Sequence, residues 1–244
     1  MEVDRIKVSY PPKNTSLELI AERMPIEYRQ KFKEEFEKRC KDKNKKLIVY
    51  ADGCFDMFHF GHMRVFEQIK TLRPNIHLLV GICSDEEIMK NKGSNVMKND
   101  ERIEAVRHCI HVDEILFPAP WTPTLEFMNK QKIDFIAHDT IPYLVPDTED
   151  CYLPMKLEGR FLPTLRTEGV STSDLLLRIL KDKQQYYARN LKKGYSRKEM
   201  NLTYMEYLSV QMNEVLRNVS HCLKGEENNK KDSRRDSDED SDED

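Results

Sequence analysis

The 244-residue chain is predicted to form an α/β fold, a parallel β-sheet with helices on both faces. Two observations predict it. Short continuous apolar runs have the form of buried strands, and they alternate with longer stretches of helical spacing. That alternation implies parallel strands joined by crossover helices. A third observation permits it: 39% hydrophobic and 34% charged residues make a polar chain that can still bury a core.

Residues 1–15 carry two prolines and no periodicity, and read as a loose arm. Residues 16–43 read as one highly charged, solvated helix, with Lys31, Lys33 and Lys38 among Glu34, Glu35 and Glu37. Strand-like runs follow at 47–51, 76–82, 114–117, 133–137 and 161–165. Helical patterns stand at 61–72, from Ser84 onward, and at 100–109, 122–130 and 171–181. Ser84 is the expected cap of its helix, with Asp85, Glu86 and Glu87 in the first turn. Residues 200–223 place Met205, Leu208, Met212, Val215, Leu216, Val219 and Leu223 at helical spacing, a stripe expected to pack on the body or on a partner. The expected organisation is an N-terminal extension (1–45), a catalytic domain (46–196), an amphipathic helix (197–224) and a disordered acidic tail (225–244).

Composition excludes several classes. No apolar run approaches the roughly 18 residues of a membrane span. Met1 to Arg5 lacks the apolar core of a secretory leader. The cysteines at 40, 54, 83, 109, 151 and 222 form no C-x-x-C pair, against a zinc ribbon or disulfide framework and for a reducing, cytoplasmic setting. The tail from Gly225 has ten acidic and four basic residues, leaving residues 1–224 at +3. That suits a small anionic substrate and is too weak for a nucleic-acid binder.

Ligands of such sheets bind beyond the carboxyl ends of the strands. There, His59-Phe60-Gly61-His62 follows a strand and opens a helix. The i, i+3 spacing puts both imidazoles on one side of the first turn. Free N–H groups and positive potential at a helix start make an anion site. Gly61 is expected to let a ligand approach the backbone. A metal pair and two partly buried structural histidines are the competing readings, and no third ligand stands at a recognised spacing. Further on, Ser171 and Asp174 form an S-x-x-D capping box. Arg166 before it can grip several phosphate oxygens, and Gly169 permits a tight turn.

Two long stretches carry a family resemblance. Tyr50-Ala51-Asp52-Gly53-Cys54-Phe55-Asp56-Met57-Phe58-His59-Phe60-Gly61-His62 resembles the first signature of the cytidylyltransferases, the H-x-G-H nucleotidyltransferases. Arg166-Thr167-Glu168-Gly169-Val170-Ser171-Thr172-Ser173-Asp174 is similar to the second. The resemblance spans about 46–196 and implies a Rossmann-like nucleotidyltransferase fold. It implies transfer of CMP from CTP to phosphocholine, giving CDP-choline and pyrophosphate for phosphatidylcholine synthesis. His59, His62, Lys92 and Arg166 would then be catalytic. CTP would be held by these four with Cys54, Phe55, His138, Asp139, Tyr143, Thr167, Glu168, Gly169, Val170, Ser171 and Thr172. Lys92, in a polar loop, would fold over the phosphates of both substrates. Phosphocholine would be held by Asp52, Lys92, Trp121, Tyr143 and Tyr152, because a trimethylammonium group has no N–H donors and needs aromatic faces and a negative charge. Each of these has a plain structural reading as well: core packing, a loop anchor, a turn residue.

The expected metal is Mg²⁺ carried by the nucleotide, with no dedicated protein site. The expected assembly is a homodimer, although Ile103, Ile110 and His111 depart from the family pattern at positions associated with the interface. The charges of 200–224 (Glu206, Glu214, Arg217, Lys224) balance, so a peripheral role at the endoplasmic reticulum or nuclear membrane is the lesser reading. The alternatives in function are phosphoethanolamine or glycerol 3-phosphate as acceptor, or a non-catalytic nucleotide-binding regulatory module.

Overall fold

The computed structural model describes residues 17–42, 45–143 and 150–216. The loose arm, the end of the amphipathic segment with Val219 and Leu223, and the acidic tail lie outside them.

Five parallel strands form one sheet in the order β3-β2-β1-β4-β5. They are β1 (Leu47–Gly53), β2 (Ile76–Cys83), β3 (Glu114–Ala119), β4 (Phe135–Asp139) and β5 (Phe161–Thr164). All five runs expected from the sequence are present. The central strands are mostly buried, as their apolar runs require, and β1 becomes half-buried at Asp52 and Gly53, where it reaches the site. Helices α3 (Phe60–Lys70), α4 (Asp85–Asn91), α5 (Asn99–Arg107) and α6 (Leu125–Lys130) connect them. Ser84 caps α4, accepting from the Glu87 N–H at 3.3 Å.

The segment before β1 departs from expectation in two ways. It is two helices, α1 (Leu17–Ala21) and α2 (Ile26–Arg39), because Pro25 disfavours helical backbone at Met24 and becomes the N-cap of α2. It is also not merely solvated: Phe32 and Phe36 pack against Phe135 at ring distances of 6.1 and 5.4 Å. Phe135 shares a sheet face with its register partner Val49, whereas Tyr50 points to the opposite face and meets Phe127 of α6. Helices therefore cover both faces.

Between β4 and β5 lies α7 (Leu153–Leu157), which sequence periodicity missed. It is one turn long and carries Pro154 in its first turn, where a missing N–H costs nothing. The last helix, α8 (Thr172–Lys192), runs well past the expected 181.

The chain divides into two compact units, residues 1–175 and 176–244. The first holds the sheet. In the second, Leu202 and Val210 are buried, while Met205, Leu208, Met212, Val215 and Leu216 are exposed. The described part of the stripe is thus exposed in the single chain, which leaves it open to a partner, and the unit's buried apolar residues Leu202 and Val210 lie outside it. Among the described residues no helix is long and apolar enough to cross a membrane.

Candidate active site

The site follows from a seam in the sheet. β1 and β4 pair only at Val49–Phe135 and Tyr50–Ile136, yet β1 continues to Gly53 and β4 to Asp139. Beyond Tyr50 they part. The chain has moved outward from β1 to β2 and β3, then returned to β4 on the other side, so this is the point where strand order reverses. A cleft of about 380 Å³ opens there.

One wall is the start of α3. His59 is its N-cap, and its Nδ1 accepts from the Gly61 N–H at 3.1 Å. Three residues on, Nδ1 of His62 accepts from the His59 N–H at 3.3 Å. Two backbone donors therefore occupy both Nδ1 atoms, which leaves the proton of each neutral ring on Nε2. Burial lowers the pKa of His59. Burial, then the charges of His59 and Lys92, brings His62 down to about 3. Both rings are thus neutral Nε2–H donors near pH 7. The rings stack at 3.9 Å, with Phe58 stacked on the far side of His62. The His59 Nε2 is buried and has no hydrogen-bond partner within the protein. Gly61 lines the cleft and also makes room for the folded-back imidazole, since a Cβ there would stand 2.9 Å from the His59 ring and from Val170.

Opposite lies the segment from β5 into α8. Ser171 accepts from the Asp174 N–H at 3.0 Å and donates to its carboxylate at 2.7 Å, the expected cap. Thr172 Oγ1 donates to the Asp56 carbonyl at 2.9 Å. Both hydroxyls are engaged within the protein, so an anion at this end would meet backbone N–H groups of the first turn. Arg166 and Thr167 line the cleft, with the Arg166 Nε 3.6 Å from Asp139. Glu168 and Gly169, expected among the CTP ligands, do not line it. Gly169 has a φ of +76° with open space about it, so its contribution is the left-handed turn.

The inner end is aromatic. Tyr152 is buried, stacks on His138 at 4.7 Å and donates its hydroxyl to both Asp52 oxygens at 3.2 and 3.3 Å. Trp121 and Tyr143 lie 6.3 Å apart, and Tyr143 is 6.2 Å from His138. Burial raises the pKa of Asp52, while the charge of His138 and the Tyr152 hydroxyl work against it. Cys54, Phe55, Lys92, His138, Asp139 and Val170 also line the cleft. Burial pushes the Cys54 thiol up, away from nucleophilic use.

Sequence reasoning missed the supports. Arg102 is fully buried and donates to the carbonyls of Cys54 (2.6 Å) and Cys83 (2.8 Å), to Asp85 (2.8 Å) and to Asn99 (2.8 Å). It ties the ends of β1 and β2 to the starts of α4 and α5. Its neighbour Ile103 drew notice in the sequence only as a departure from the family pattern, and nothing there marked Arg102 as pointing inward. Lys156 and Asp150 form a buried ion pair at 2.6 Å, and Asp150 accepts from the Tyr152 N–H at 3.1 Å. An isolated lysine in a short unassigned segment gave no signal.

The family model described as cytidylyltransferase-like matches residues 50–178, from the first signature through the second. The chain belongs to that family. Among cytidylyltransferases, it is 56% identical over 155 residues to the probable choline-phosphate cytidylyltransferase of Schizosaccharomyces pombe, covering 64% of this chain and 43% of that one. It is 47% identical over 179 residues to choline-phosphate cytidylyltransferase A of Rattus norvegicus, covering 73% and 49%. Identity to the ethanolamine-phosphate cytidylyltransferase of Dictyostelium discoideum is 45% over 138 residues, covering 56% and 38%. The chain spans about half the length of the curated relatives it matches.

Proposed function

We propose that this cytidylyltransferase-family chain transfers CMP from CTP to phosphocholine, releasing pyrophosphate and forming CDP-choline. The observation that carries this reading is one cleft with two chemistries. The histidine pair, with the unpartnered Nε2 of His59, and the helix starts line one part of it, and Trp121, Tyr143, Tyr152 and Asp52 gather in another. The relatives named for choline phosphate cover more of the chain than the one named for ethanolamine phosphate, which supports the same choice.

The chemistry needs positioning more than proton transfer. A phosphate monoester is already an anion near pH 7, so its oxygen attacks the α-phosphorus without a general base. The O–P bond forms as the bond to pyrophosphate breaks. The protein must bring two anions together in line and stabilise charge on the phosphorane and leaving group. The Nε2–H groups of His59 and His62 donate to phosphate oxygens. Lys92 and Arg166 supply positive charge, and the starts of α3 and α8 supply backbone donors. Asp52 and the rings hold the quaternary ammonium.

Mg²⁺ fits this reading as a companion of the triphosphate. Of the carboxylates lining the cleft, Asp52 is held by Tyr152, and Asp56 and Asp139 by backbone N–H groups, while the groups assigned to the phosphates are N–H donors and cations; phosphate oxygens suit a hard metal ion better. A homodimer is proposed on the resemblance alone, and light scattering tests it.

A radiochemical assay offering CTP with phosphocholine, phosphoethanolamine or glycerol 3-phosphate decides the acceptor. Phosphocholine is expected to have the highest kcat/KM. In the same assay Trp121→Ala is expected to raise KM for phosphocholine about tenfold, as loss of about 1–2 kcal/mol of cation–π attraction implies. KM for CTP should move far less. Preference for phosphoethanolamine, or a Trp121→Ala effect confined to CTP, would overturn the choline assignment.

A further inference from the structure

We infer that Asp56 is a positioning residue that sets the distance between the histidine pair and Lys92. The inference rests on the function proposed above.

Asp56 lies in the first signature, three residues before His59, and is 8% exposed. Its carboxylate is occupied from two directions. Oδ1 accepts from the Met57 N–H at 3.0 Å and from the Met97 N–H at 2.8 Å. Oδ2 accepts from the Val96 N–H at 2.9 Å. Two of these donors belong to the loop that follows α4 and begins with Lys92. Its main-chain carbonyl accepts the Thr172 hydroxyl at the start of α8. One residue thus joins three elements that face the cleft: the histidine turn, the lysine loop and the α8 start.

The backbone on either side is held in an unfavourable form. Phe55 has a φ of +53° and Met57 a φ of +49°, left-handed values that bulky side chains avoid. Neither residue has a short polar side chain to sustain that conformation. The carboxylate between them does, because it closes back on the Met57 N–H while it grips the opposite loop.

The lysine loop needs such a grip. Lys92 is exposed and is followed by Gly93 at a φ of +109° with open space around it. Beyond that glycine the loop is fastened at Asn95, which donates to Asp85 at 2.8 Å, and then at Val96 and Met97 by Asp56. Without Asp56, the loop keeps its tether toward α4 and loses its tether toward the histidines. The Lys92 ammonium then samples more positions relative to the reacting phosphates, and the loss falls on the transition state.

The test is a double-mutant cycle with Asp56→Asn and Lys92→Ala in the full chain. Asn keeps the volume but replaces one acceptor oxygen with an NH₂ group that confronts backbone donors. Asp56→Asn is expected to lower kcat about tenfold or more with a smaller change in KM for CTP; in the Lys92→Ala background it should lower kcat less than about twofold, since residues acting through one another are non-additive. Amide hydrogen exchange at Val96 and Met97 is expected to accelerate in Asp56→Asn. Should that variant fail to fold, Val96→Pro removes one donor from the loop side, where the side chain is exposed, and is expected to lower kcat with the same dependence on Lys92. Fully multiplicative effects of position 56 or 96 with Lys92→Ala, or unchanged exchange at Met97 in a folded variant, would overturn the inference. A parent protein that makes no CDP-choline would overturn the function instead, and the exchange measurement would still decide the clamp.

Discussion

His59 and His62 illustrate how a local cap fixes a chemical state. Each ring receives a backbone N–H at Nδ1, so each keeps its proton on Nε2, and both residues line the cleft. Replacing either with alanine is expected to lower kcat by about 10²–10³-fold, the scale of one lost charge-stabilising donor, while loss of the cap lowers the melting temperature by only a few degrees. Steady-state kinetics beside a thermal melt checks both halves. Asp52 gives a pH prediction. Burial raises its pKa above the usual carboxylate value, so it loses its charge at a higher pH than an exposed carboxylate. As pH falls through that raised value the attraction for a quaternary ammonium is lost, and KM for phosphocholine should climb. Asp52→Asn should have a raised KM throughout and lack this component of the pH dependence, measured against the parent over the same range.

At the scale of elements, the starts of α4 and α5 are organised by Arg102. Arg102→Met would leave the Cys54 and Cys83 carbonyls without their donor and Asp85 without its cation. The expected cost is on the order of 3 kcal/mol, read from the urea midpoint. Elements differed in how legible they were. The five strands could be read because each is an apolar run with no competing period. The α3 start could be read because His59-Phe60-Gly61-His62 abuts such a run. Helix α7 could not, because one turn is too short to show a period. Long-range partners were equally hidden. Nothing in the local sequence tells that Arg102 reaches back 48 positions to Cys54, or that Thr172 spends its hydroxyl on Asp56. The histidine turn and the Arg166 segment were therefore legible from the signatures, Lys92, Trp121, Tyr143 and Tyr152 only through the wider resemblance, and the orientation of all of them was not.

At the scale of the molecule, the segment before β1 is part of the core. Ile20, Met24, Phe32 and Phe36 are all buried, the first three at 2% exposure or less. Burying each contributes about 2 kcal/mol, and the four together are comparable to a whole domain's margin of about 5–15 kcal/mol. A chain lacking residues 1–45 is expected to lose its cooperative melt or precipitate, judged by calorimetry and light scattering. Its charge pattern concealed this, because the apolar positions of α2 are few and the lysines and glutamates around them dominate the composition.

The two-residue ladder between β1 and β4 has a mechanical meaning. It divides the sheet into two plates, β3-β2-β1 and β4-β5, sewn together by a short stitch at Val49 and Tyr50. A molecule bound across the lips, touching Asp52 and the histidine turn on one plate and His138 or Arg166 on the other, extends that stitch with its own atoms. Its binding energy then opposes separation of the plates and adds to the stability of the fold in proportion to occupancy. Loss of that molecule returns the plates to what the protein itself supplies: the short ladder, the Tyr152 hydroxyl on Asp52 and the aromatic packing around Phe135.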